Sequence, residues 1–315
     1  MTIDLDNRLE LVLTLMLLSE CVDDGLIIRG SHPHIDFIRE RFRDYIGHRA
    51  VAEFKAAWDS EINMDAQPFY ALVLTQDYRL DPEVGRQYLS AWLNQGVDIH
   101  SLTDGIRDFA AVSNFDDYFE NLAKEFHPYL DKLKGIIGRR PVLPLLEDYL
   151  GFSFPKTGVL LSSLMKCFMS ITIDRANTQE VFCLCSRQGL QIAEENNGLE
   201  RVLLSSIWHE FSHHVVNPLT DRLFEKPDRM SQQQVEWMCA LNESIIWAIN
   251  TRLLILEGVI ADKDSVWMIS NGVKCKAPHT GIFHELLLEY ERQRCKYPTL
   301  ADYYCTLVDS VGPTA

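Results

Sequence analysis

The chain has 315 residues, 47 % hydrophobic and 24 % charged, with 45 acidic against 30 basic side chains and a formal net charge of −15. That composition describes a globular protein able to bury a sizeable core. It argues against nucleic-acid binding, which needs a basic face.

The first 150 residues read as mostly helical. Apolar residues recur at helical spacing over about Leu5–Val22, His34–Ile46, Ala50–Trp58, Pro82–Asn94, Leu102–Val112 and Phe115–Ile137. The run Leu11–Leu18 is broken by Thr14 and has acidic neighbours, so it reads as an amphipathic helix, without the basic start of a signal peptide. No stretch has the 18 or more apolar residues of a membrane span, and a cytoplasmic protein without membrane partners is expected. Arg139-Arg140 before Pro141 reads as a solvated loop.

The period changes over Gly158–Ser186. Met165, Cys167, Met169, Ile171 and Ile173 alternate with more polar residues, and Val181, Cys183 and Cys185 form a second alternating run. A hairpin turning at Asp174–Thr178 is expected. The fold class is therefore mainly α with a small antiparallel sheet (α+β). A helical region over 1–150 is followed by a sheet-bearing region over 151–315, the two packed as one unit.

Leu199–Val216 reads as a helix entered through Asn196-Asn197-Gly198 and stopped by Asn217-Pro218. Within it lies His209-Glu210-Phe211-Ser212-His213, an H-E-x-x-H motif. Residues i and i+4 share a helix face, so both imidazoles can reach one zinc ion, and Glu210 can reach a water on that ion. His214 points about 100 degrees away and is not a ligand.

A catalytic zinc takes three protein ligands. Val216 and Leu219 stand where a metzincin needs Gly and His. A second helix is expected over Gln232–Leu256, with Val235, Met238, Leu241, Ile245, Ile249 and Leu253 as its apolar stripe. Glu243 lies within it, an acid on a largely apolar side, and is the candidate third ligand. Glu236, seven residues earlier, is the alternative, and a pair with Arg252 is the structural alternative for Glu243. Further helices are expected over Pro278–Cys295 and Leu300–Val311. Eight scattered cysteines form no C-x-x-C pair and suit reduced core thiols. Cys275, His279, His284 and Cys295 match no standard zinc spacing.

His209-Glu210-x-x-His213 followed by Asn242-Glu243 resembles the gluzincins, the thermolysin-like metallopeptidases. With Val216-Asn217-Pro218, and with Leu288-Glu289-Tyr290 through Arg294 to Tyr297-Pro298-Thr299, the chain looks like a bacterial family of uncharacterised gluzincin-like domains. The resemblance implies a zincin-like region with its sheet before the motif helix, one zinc per chain, and a peptide or protein substrate. His209, His213 and Glu243 would be the ligands. Glu210 would take a proton from a zinc-bound water that attacks the peptide bond. Tyr290, His284 and His279 are candidates to steady the oxyanion, Tyr290 first among them. Two departures stand out. The gap from His213 to Glu243 is longer than in the familiar enzymes, and Trp247 occupies the place of an Asp that orients a ligand histidine. A binding module without catalysis, or hydrolysis of a non-peptide amide or ester, are the alternatives.

Overall fold

The structure is a computed structural model. It describes residues 1–20, 25–28, 30, 32–58, 66–82, 84, 97–175, 178–224 and 230–312. Of the helix expected over Pro82–Asn94 only Pro82 and Val84 are described, and the tip of the turn at 176–177 lies outside the described residues. The class is α+β: a mostly helical chain with one small sheet.

Two compact units emerge, each discontinuous in sequence: Met1–Lys134 with Pro155–Glu195, and Gly135–Phe154 with Asn196–Ala315. Residues 155–195 group with the N-terminal segment because their sheet includes the first strand of the chain.

That sheet, in the first unit, comprises β1 (Thr2–Leu5), β2 (Lys156–Ser162), β3 (Met169–Arg175) and β4 (Thr178–Ser186), in the order β1-β2-β4-β3. The hairpin β3–β4 is antiparallel, with Ile171 opposite Phe182. The sheet is nevertheless mixed, not antiparallel: β2 runs parallel to both β1 and β4, with Thr2 opposite Gly158 and Val159 opposite Cys183. β1 alternates over only four residues, too few to mark a period, and β2 is buried continuously from Thr157 to Ser162. A parallel strand covered on both faces has no period to read.

The unit's helices are α1 (Asn7–Ser19), α2 (Pro33–Arg41), α3 (Arg49–Trp58), α4 (Ala66–Leu72), α5 (Ile99–Val112), most of α6 (Phe115–Ile137) and α8 (Arg187–Glu195). Asp6 caps α1 by accepting from the backbone N–H of Arg8 and Leu9. Expected to be amphipathic, α1 is instead buried at every position from Arg8 to Ser19. Its Glu10 is fully buried and accepts from Ser163 N at 2.9 Å and Ser163 Oγ at 2.6 Å.

The second unit contains α7 (Val142–Leu150), α9 (Leu199–Leu223), α10 (Gln232–Leu256), α11 (Ser265–Lys274), α12 (Thr280–Arg292) and α13 (Leu300–Asp309). Helix α9 does not stop at Asn217-Pro218 but runs through Pro218 to Leu223. Helix α10 opens on a capping box formed by Ser231 and Gln234. Its stripe Met238, Leu241, Ile245, Ile249 and Leu253 is buried, whereas Val235 is exposed.

Buried polar contacts lock these helices together. Trp208 Nε1 donates to Val142 O at 2.8 Å, and Asn250 Nδ2 donates to Ser205 Oγ at 2.7 Å. Arg252 grips Glu291 through two bonds of 2.8 Å, and Tyr149 Oη donates to the same carboxylate at 3.0 Å. Arg140, expected in a solvated loop, pairs with Glu200 at 2.8 Å and Glu257 at 3.3 Å. Gly151 ends α7 at φ +65°.

Among the described residues, α10 is the one helix long and apolar enough to cross a membrane, with a window of mean hydropathy 1.2. That window is 61 % buried within the protein, as expected of a core helix.

Candidate metal centre

The site joins one stripe of α9 to one residue of α10. His209 and His213 sit one helical turn apart, and their Nε2 atoms are 3.3 Å from each other. Glu243 brings one oxygen to each ring: Oε2 is 3.4 Å from His209 Nε2, and Oε1 is 3.4 Å from His213 Nε2. Among the described residues, this is the one group of three His, Cys, Asp or Glu side chains close enough to hold a metal ion. The three side chains remain 15, 20 and 31 % exposed.

The local sequence explains the placement. Burial of Leu203, Leu204, Ile207, Trp208, Phe211, Val215 and Val216 fixes the rotation of α9, and the remaining stripe carries the histidines. Ser212 Oγ donates to Trp208 O at 2.6 Å, which satisfies its hydroxyl within the helix. On α10, Asn242 accepts from Thr220 Oγ1, which also meets Tyr304 Oη; this anchors the residue beside Glu243.

The charges are mutually dependent. For Glu243, burial alone would raise the pKa, but the His209 hydrogen bond and the charges of both histidines hold it below the usual carboxylate range. Burial opposes charge on His209 too, yet the Glu243 hydrogen bond and the charges of Glu210 and Glu243 push its pKa up. His213 moves down, through burial first and the charge of His209 second. The carboxylate thus favours one positive charge, on His209 rather than His213.

Glu210 is 8 % exposed, and its charge acts on His209. Glu236 is exposed and accepts from Gln232 Nε2 at 3.1 Å, outside the cluster. Arg252 is taken by Glu291 and is not the partner of Glu243. His214 packs its ring against Phe152 and Phe154 at 5.6 and 5.8 Å.

Tyr290 is fully buried. Its hydroxyl donates to Tyr149 O at 2.8 Å and accepts from Arg294, and burial pushes its pKa up to about 12. Those bonds engage it within the helical core. His284 is also buried, with Nδ1 3.4 Å from Glu285 Oε1. His279 contributes its backbone N–H to Ser244 Oγ at 3.2 Å.

Two residues neighbour the histidines: Trp247, singled out from sequence as a departure, and Asn217, whose contact was not anticipated. Trp247 sets its ring at 72° to His209, with centroids 5.7 Å apart. Asn217 Oδ1 lies 3.3 Å from His213 Nδ1. The four-residue step His209, His213, Asn217 was the available signal for the second, hidden by reading Asn217-Pro218 as a helix stop.

Comparison with curated proteins and with solved structures returns no match. The family model described as a domain of unknown function, DUF4932, matches residues 1–310, and the chain belongs to that family.

Proposed function

We propose that this protein is a zinc-dependent metallopeptidase of the gluzincin type, with a zincin-like catalytic region. His209, His213 and Glu243 hold one zinc per chain, and Glu210 is the general base. The spacing of the donor atoms carries this reading. A tetrahedral zinc with bonds of about 2.0–2.1 Å sets neighbouring donors about 3.3–3.4 Å apart. His209 Nε2 and His213 Nε2 stand 3.3 Å apart, the length of that edge, and Glu243 brings a different oxygen within 3.4 Å of each ring. Two imidazoles and a carboxylate are also the donor set of a His₂Glu catalytic site.

Zinc, when bound, would polarise the scissile carbonyl and lower the pKa of a water molecule. Glu210 takes the proton of the attacking water on its carboxylate and delivers it to the departing amide nitrogen. Burial keeps that carboxylate beside His209 and strengthens its electrostatic influence. The same residues would serve a non-peptide amide or ester.

Trp247 motivates a second reading, a zincin-like module that binds without cleaving, because an aromatic ring meets His209 where gluzincins carry an acid. Glu210→Gln separates the two. Wild type and variant are metal-loaded and offered denatured proteins alongside amide and ester panels. The metallopeptidase reading expects equal zinc per chain and hydrolysis slower by about 10²–10⁴-fold in the variant. Hydrolysis retained by the variant refutes the role of Glu210. A zinc-loaded wild type that cleaves nothing favours the binding module.

A further inference from the structure

The Asn217-Pro218 pair has the composition of a helix stop, yet α9 passes through it to Leu223. Termination therefore does not account for Asn217. Its side chain turns back along the helix to His213, the second step of the stripe that begins with His209.

The two nitrogens of His213 face different partners. Nδ1 is 3.3 Å from Asn217 Oδ1, while Nε2 is 3.3 Å from His209 Nε2 and 3.4 Å from Glu243 Oε1. A neutral imidazole carries one proton. With that proton on Nδ1, donated to the amide oxygen, Nε2 presents its lone pair to the ligand cluster. With the proton on Nε2, the ring could not bind a cation there. Acceptors stand at both nitrogens, so the Asn217 amide oxygen at Nδ1 is what favours the first form against the Glu243 carboxylate at Nε2.

The backbone around Asn217 is held on both sides. Pro218 fixes its own φ and restricts the residue before it. The Thr220 hydroxyl, which donates to Asn242, lies 3.3 Å from the carbonyl of Val216, and Tyr304 Oη reaches that carbonyl at 3.5 Å. The amide of Asn217 is thereby presented to the ring from a braced turn.

We propose that Asn217 is a positioning residue for His213: it fixes the Nδ1–H tautomer and the ring's orientation, so that Nε2 is committed to the metal. This inference rests on the proposed zinc site. Such partners of ligand histidines change metal affinity by about 10–100-fold. At 3.3 Å the bond is at the long end for N–H···O, which places the expected effect near 10-fold.

The test uses the full chain as wild type, Asn217→Ala and Asn217→Asp. Zinc affinity is read by competition with a chromophoric chelator. The His213 tautomer is read by nitrogen NMR on chelator-stripped protein. The expectation is about 10-fold weaker zinc binding in Asn217→Ala with loss of the Nδ1–H tautomer, and recovery of both in Asn217→Asp. Should the alanine variant fail to fold, the aspartate variant still decides: a carboxylate at this position must preserve the tautomer and hold zinc at least as tightly as wild type. Affinity and tautomer unchanged in Asn217→Ala overturn this inference alone. No zinc uptake by wild type overturns the metal-site reading and this inference with it.

Discussion

Glu243→Asp keeps the negative charge of the proposed third ligand and removes one methylene. Its oxygens withdraw by about 1.5 Å, one carbon–carbon bond. In the native site Oε2 lies 3.4 Å from His209 Nε2 and Oε1 lies 3.4 Å from His213 Nε2. Metal–ligand distances tolerate about 0.2 Å, so the retraction reduces three protein ligands to two. At free zinc 100-fold above its dissociation constant, wild type gains about 2.7 kcal/mol. At about 2–4 °C per kcal/mol, the melting temperature rises by about 5–10 °C. If loss of a ligand weakens binding 100-fold, the same free zinc gives the variant only RT ln 2, about 0.4 kcal/mol, or near 1 °C. The assay is thermal unfolding of chelator-stripped protein in buffered zinc, with Glu243→Gln as the variant that keeps length and loses charge. A Glu243→Asp shift equal to wild type would refute the claim that carboxylate reach defines the site.

Two further outcomes follow from buried positions. Burial raises the pKa of Glu10 against the opposing bonds from Ser163 and Ser162, so the folded chain holds that proton more tightly than the unfolded chain. This contribution is full below the unfolded value, near 4.3, and is lost as pH rises through the folded value. Urea unfolding across this range should show wild type losing stability relative to Glu10→Gln as pH rises, and parallel profiles would refute it. Gly151→Ala should cost at least ~2 kcal/mol in the same assay, because left-handed backbone penalises a side chain by about 1–2 kcal/mol. Its Cβ would also stand 2.7–2.8 Å from three atoms of Thr299, one of them backbone, so Gly151→Asn should do no better. A loss below ~0.5 kcal/mol would contradict this.

The helices of the site were legible because their signals are local. The span of α10 follows from its apolar stripe, and the position of Glu243 on it follows from counting. The end of α9 was not, because Asn217-Pro218 is a breaker signal in isolation, yet the helix runs through it to Leu223, with Tyr304 of α13 reaching Val216 O at 3.5 Å. Short or fully buried elements left little pattern: α7, α11, β1 and β2 are brief or lack a polar face to mark the period. α4 and α8 are likewise only 7 and 9 residues long. The engagement of Tyr290 by Tyr149 O and Arg294 depends on residues distant in sequence, which no local rule supplies.

The pairing of Thr2 with Gly158 has a consequence for synthesis. At about 5–20 residues per second, a ribosome needs roughly 8–30 s to deliver the partner of β1 after β1 itself. Helix α1 can meet its partners α3 and α4 once Leu72 has been made, whereas β1 must wait for residue 158. The nascent chain therefore carries an unpaired strand at Thr2–Leu5 for many seconds. Chaperone demand during translation should concentrate on that strand and fall once β2 emerges.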